Sequence, residues 1–189
     1  MPDHDRLVAL LAERSARQGD FTLASGRKST LYIDARLTTM SPEGLALIGP
    51  IALTTLREVG WKIDAVGGLT LGADPISYAI AYASTTSNQM IRAFTVRKEV
   101  KAHGTGRLIE GPFRKGDTVA IVEDVITTGG SALRAVEAVR TAGGIVAGIL
   151  ALVDREEGGK EALVATGLQV IALTRASEIV AKLPARDSG

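Results

Sequence analysis

Two carboxylates, Glu123 and Asp124, stand side by side between an apolar run and a loop of small residues, in the segment TVAIVEDVITTGGS at 118–131. The apolar run reads as a buried strand. The loop that follows supplies Val125, Ile126, Thr127, Thr128, Gly129, Gly130 and Ser131 and leads into an expected helix from about residue 130. Successive backbone N–H groups in such a loop make a concave anion site, and a helix N-terminus adds a favourable partial charge. Glycine lets a phosphate approach the backbone, while the Thr and Ser hydroxyls donate further hydrogen bonds. Carboxylates beside a phosphate cradle make sense for a ligand with a phosphate at one end and a diol next to it. They would accept from the hydroxyls, directly or through a magnesium ion.

A second segment is cationic: RKEVKAHGTGR at 97–107 sets Arg97, Lys98, Lys101 and Arg107 against Glu99 alone, with His103 ahead of two glycines. Taken by itself such a run is ordinary solvated surface. It gains meaning from its place, directly after an expected strand and about 25 residues before the phosphate loop.

These residues need a frame to position them, and the apolar pattern supplies one. Asp3 can cap a helix over 4–18, which Gly19 would stop. Phe21–Leu23 and Thr30–Asp34 read as short strands around a turn at 24–27, and Ser41-Pro42-Glu43 opens a helix over 42–59. Strands at 65–67, 90–96, 118–123, 145–153 and 169–173 then alternate with helices at 73–83, 130–142, 159–166 and 176–183, with a polar stretch at 97–116. This alternation predicts an α/β domain with a mostly parallel sheet covered on both faces. Ligands of such sheets bind beyond the carboxyl ends of the strands, where the candidate residues fall.

Composition narrows the chemistry. With no cysteine and only two histidines in 189 residues, thiolate catalysis and Cys or His metal cages are excluded, and a metal here should be a hard cation. Lys and Arg number 22 against 21 acidic residues, so no global basic footprint for nucleic acid exists. The N-terminal stretch has no apolar signal core, and the longest charge-free apolar run, Ile145–Val153, is far too short to span a membrane. A cytoplasmic protein is expected. No GxxxxGK motif followed by Ser or Thr is present, which removes the Walker A reading.

The segment at 118–131 resembles the phosphoribosyl diphosphate motif of the type I phosphoribosyltransferases, and EDVITTGGS is closest to their orotate branch. The spacing R-K-x-x-K-x-H-G at 97–104 is similar to the mobile catalytic loop of that branch. FTLASGRKS at 21–29 is similar to the family's base-covering segment, although Ala24 stands where a lysine can occur. VGGLTLG at 66–72 falls at the family's pyrophosphate loop, with Thr70-Leu71 in place of a tyrosine-lysine pair.

The resemblance implies a single domain over 1–189 of type I phosphoribosyltransferase fold, residues 1–40 forming a helix and a hood over the base. It implies magnesium-dependent transfer of phosphoribose from phosphoribosyl diphosphate to orotate, by a homodimer with shared sites. Lys101 and His103 would contact the leaving pyrophosphate, anchored by Arg97 and Lys98. Residues Glu123–Ser131 would hold the ribose phosphate, and Arg155 in LVDREE, with Thr127, Tyr32 and Ile33, would hold orotate. Ile33 reads equally well as a core residue. No residue is expected to bind the metal directly; Asp124 and Asp74 are candidates for contact through water or ligand, although capping the next helix is the favoured reading for Asp74. Two rivals remain: transfer to another base, and a regulator sensing phosphoribosyl diphosphate, which would need a DNA-reading module that about 20 residues before Phe21 cannot hold.

Overall fold

The computed structural model describes residues 2–22, 28–99 and 107–184. In chain order its elements are α1 (Pro2–Arg14), β1 (Ala16–Thr22), β2 (Lys28–Ile33), α2 (Arg36–Thr39), α3 (Pro42–Glu58), β3 (Ala65–Leu69) and α4 (Ala73–Ser84). They continue with β4 (Arg92–Val96), β5 (Ile109–Glu110), β6 (Thr118–Ile126), α5 (Gly130–Thr141), β7 (Ile145–Asp154), α6 (Gly159–Val164), β8 (Val170–Arg175) and α7 (Ala176–Val180).

Six strands form one sheet in the order β5-β4-β3-β6-β7-β8. All neighbours in it run parallel except β4 and β5. Central β6 shows why both faces are covered: its side chains alternate, and both sets are apolar. Val119 and Ile121 pack into a core with Ala135, Val136 and Val139 of α5. Ala120 and Val122 face a second core built with Ile48 and Leu56 of α3, Ile76 and Ile80 of α4, and Leu7 and Leu11 of α1. Helix α3 begins where the sequence places it, with the Ser41 hydroxyl accepting from Gly44 N–H at 3.1 Å and Pro42 in the first turn.

Apart from the sheet, β1 and β2 pair as an antiparallel hairpin, with a register shift between Gln18 and Phe21. Here the sequence reading is corrected. The first helix stops at Arg14 rather than near residue 18, and Gly19 lies inside β1. Ala16, Arg17 and Gln18 are drawn into pairing with Ile33, Tyr32 and Leu31, while buried Ser15 bonds the Thr38 hydroxyl at 2.7 Å. Residue 23 and the expected turn at 24–27, including Ala24, lie outside the described residues.

Two further corrections bear on the site. The stretch at 97–116 contains the short strand β5, which pairs with the end of β4. Strand β6 runs on through Ile126, so Glu123 and Asp124 lie within it rather than at its end. Among the described residues no helix is long and apolar enough to cross a membrane.

Candidate active site

The carboxyl ends of β3, β6 and β7 open onto one cleft of about 370 Å³, with residues of β2 along its wall. Of the side chains singled out from the sequence, Tyr32, Ile33, Lys98, Glu123, Asp124, Val125, Thr127, Ser131 and Arg155 line it. Segments more than a hundred residues apart in sequence are thereby brought within reach of one ligand.

Asp124 is half-buried, and its Oδ1 accepts from Val125 N–H at 2.9 Å. Its carboxyl lies over Gly72 of the β3–α4 loop, where a Cβ would run into it, so that position must be glycine for the acid to sit as it does. In the same loop Thr70–Leu71 is a cis peptide.

Glu123 is 9% exposed, and its Oε2 is buried without a hydrogen-bond partner. Burial, and then the adjacent Asp124 carboxylate, push its carboxyl up to about 8 from an ordinary 4.5. The folded protein therefore keeps this proton across a range in which the unfolded chain has lost it. Stability should fall as pH rises from about 4.5 to 8 and level off above, by roughly 1.4 kcal/mol per unit at most. Glu123→Gln removes that contribution. The variant should match the parent in denaturant midpoint near pH 5 and exceed it above pH 8. Parallel profiles would show that Glu123 ionises normally.

Arg155 leaves the end of β7 and is itself buried. Its Nη2 donates to Glu157 Oε1 at 2.7 Å, to the Leu31 carbonyl at 3.0 Å and to Ser29 Oγ at 3.2 Å. The arginine thus ties the β1–β2 hairpin to the main sheet. Tyr32 of that hairpin stacks at a tilt on Phe21, ring centroids 5.5 Å apart, and is 41% exposed. Ile33 belongs to the main core while also touching the cleft.

Other predicted residues sit elsewhere. The side chain of Ile126 is in the core, and its carbonyl accepts from Arg155 N–H at 3.1 Å. Thr128, Gly129 and Gly130 follow in the turn into α5 without lining the cleft, Gly129 with φ +81°. The capping reading of Asp74 does not hold: its oxygens accept from the Thr70 hydroxyl at 2.6 Å and the Thr95 hydroxyl at 2.8 Å, so it pins the β3–α4 loop to β4. Arg97 lines a neighbouring cavity together with Lys98 and bonds Glu110 at 3.4 Å. Lys101 and His103 lie outside the described residues.

Sequence reasoning missed Asp34 and Arg36, which line the cleft just beyond β2. Arg36 grips Asp34 through Nε at 2.8 Å and Nη2 at 2.9 Å, and this hydrogen bonding holds the Asp34 carboxyl below the usual carboxylate range. The alternation of charge at 34 and 36 was a weak signal, since such pairs are common on surfaces.

The chain is similar to known proteins over nearly its whole length. The phosphoribosyl transferase domain model fits residues 39–174. An orotate phosphoribosyltransferase of Aquifex aeolicus is 45% identical over 183 residues, 95% of this chain and 99% of the relative. The crystal structure of the Mycobacterium tuberculosis orotate phosphoribosyltransferase with Fe(III) dicitrate superposes with a TM-score of 0.83 at 42% identity, covering 94% of this chain and 99% of that one. The same enzyme with 5-phospho-alpha-D-ribosyl 1-diphosphate gives 0.81 at 39% identity, covering 95% and 99%. The chain belongs to the orotate phosphoribosyltransferase family.

Proposed function

We propose that this protein transfers the phosphoribosyl group of 5-phospho-α-D-ribosyl 1-diphosphate to orotate, giving orotidine 5′-monophosphate and pyrophosphate in pyrimidine biosynthesis. The observation that carries this reading is buried Arg155, placed in one cleft with Asp124, Thr127 and Ser131. A guanidinium suits a carboxylate, so a base bearing one would sit against Arg155, with Tyr32, Ile33 and Thr127 beside it. The loop from Val125 to Ser131, Thr128, Gly129 and Gly130 included, would hold the 5′-phosphate, and Asp124 with Glu123 the ribose hydroxyls.

In the reaction the ring nitrogen of orotate loses its proton and bonds to the anomeric carbon as the carbon–oxygen bond to the diphosphate breaks, the bonding pair leaving with pyrophosphate. Positive charge develops at the sugar and negative charge on the leaving group. Lys101, His103, Arg97 and Lys98 are proposed to meet that negative charge, which stabilises the transition state more than the ground state. Magnesium supplies charge neutralisation on the diphosphate when bound. The donor set fits a hard cation, since the cleft offers carboxylate oxygens and the substrate brings its own.

We also propose a cytoplasmic homodimer of one domain per chain, residues 1–40 contributing the hood, with the loop of one subunit serving its partner. Tyr78 and Tyr82, one turn apart on α4, are 53% and 81% exposed, as suits a face that meets a two-fold copy.

Orotate absorbance should fall only when phosphoribosyl diphosphate is present. Uracil, which lacks the carboxylate, should be used roughly 100-fold less efficiently or worse. Comparable rates with uracil or a purine would remove the orotate assignment and leave only the class.

A further inference from the structure

Arg155 lines the cleft and is itself buried. Its side chain is 5% exposed, and one nitrogen, Nη2, serves three acceptors: Glu157, the Leu31 carbonyl and Ser29. The neighbouring Nε is buried and donates to nothing. The guanidinium is therefore oriented by its Nη2 contacts, of which the one to Glu157 is the shortest.

The turn is built to put a particular glutamate on that arginine. Glu156 adopts φ +57°, a region that residues other than glycine enter at a cost. Two contacts hold it there. Its N–H donates to Asp154 Oδ1 at 2.8 Å, and its Oε2 accepts from Ser177 N–H at 2.7 Å, at the start of α7. Two successive glutamates are thereby sent to different partners, Glu156 to α7 and Glu157 to Arg155. Glu157 is itself only 19% exposed, so its ion pair with the guanidinium is shielded from water. Such a pair is geometrically exacting, and removing Glu157 leaves the guanidinium charged, buried and held only by the weaker contacts to neutral Leu31 and Ser29.

We propose that Glu157 is a positioning residue: it fixes the Arg155 guanidinium at the cleft wall in the orientation that meets the carboxylate of the base. This rests on the reading of the cleft as a site for an anionic base. Glu157 touches no substrate in this scheme and acts only through Arg155.

The test is steady-state kinetics on Glu157→Ala, Glu157→Gln, Arg155→Ala and the Arg155→Ala/Glu157→Ala double variant, varying each substrate separately, with thermal midpoints alongside. Glu157→Ala should raise the orotate KM roughly 10-fold while kcat and the KM for phosphoribosyl diphosphate stay within about two-fold. Glu157→Gln keeps an acceptor of the same shape without the charge and should raise it less, roughly 3-fold. In the Arg155→Ala background the second substitution should add nothing, since its effect runs through the missing group.

An orotate KM at the parent value in both single variants overturns the proposal. So does a joint change of kcat and both KM values, which would mean the turn is only structural. If Glu157→Ala does not fold, Glu157→Gln decides by the same criteria. Should Arg155→Ala itself leave the orotate KM unchanged, it is the base-site reading that fails; should it raise the KM while the Glu157 variants do not, Glu157 alone is misassigned.

Discussion

Asp124→Asn should lower kcat/KM for phosphoribosyl diphosphate by about 100-fold or more while leaving the fold and the orotate KM nearly unchanged. The acid projects from β6 into the cleft, packed over Gly72 and steadied by Val125 N–H. An ionised carboxylate can accept from two ribose hydroxyls through two oxygens. Charge-assisted bonds of this kind contribute about 1.5–3 kcal/mol each, so losing the charge and one acceptor costs about 3 kcal/mol, which is the 100-fold. Asparagine occupies the same volume, and its oxygen can still accept from Val125 N–H, so a thermal midpoint close to the parent is expected. A rate at subsaturating diphosphate equal to the parent's would remove Asp124 from the sugar site. A loss shared equally with the orotate KM would place its effect in the shape of the cleft.

How far these residues could be read from sequence depended on whether their neighbours were local. The helix starting at Ser41-Pro42 is a local event, fixed by a capping hydroxyl and a preset proline φ, and it forms where it was expected. The end of β6 is not local. Acids are depleted in strands, so Glu123 suggested a terminus. Yet Val125 pairs with Val153 and Ile126 with Asp154, and that pairing carries the strand three residues further. The first helix was misjudged for the same reason, because residues 16–18 leave it to pair with β2. At the site, the glycine turn after β6 stood out by its local wording, whereas Arg155 was singled out only through the family resemblance, since DRE alone reads as a solvated turn. The arginine's partners were not legible. Glu157 stands two residues away, but Ser29 and Leu31 come from over a hundred residues off, and nothing in DREE says which glutamate turns inward. That choice is made by the left-handed backbone at Glu156 together with its contact to Ser177.

Removal of divalent metal should abolish turnover, by roughly 100-fold or more, and added magnesium should restore it, because an uncompensated diphosphate is a poor leaving group. The side chains of the cleft specify how such an ion would be held. Among the described residues no three His, Cys, Asp or Glu side chains converge into a metal cage. Asp74 has both oxygens engaged by the Thr70 and Thr95 hydroxyls. Glu123, with its carboxyl raised to about 8, is mostly protonated near neutral pH and a poor ligand there. Asp34 has both oxygens taken up by Arg36, which leaves Asp124 as the main anionic group in reach, and one carboxylate does not bind a strongly hydrated ion tightly. The protein alone should therefore show no saturable magnesium binding below the millimolar range by calorimetry. With phosphoribosyl diphosphate present, whose oxygens complete the coordination, magnesium should bind tightly and raise the affinity for the sugar diphosphate by the same factor, as linkage requires. Asp124→Asn should weaken that coupling. Full activity in excess EDTA would defeat the metal's part in the reaction, and micromolar binding to the free protein would mean that the carboxylates form a site before the substrate arrives.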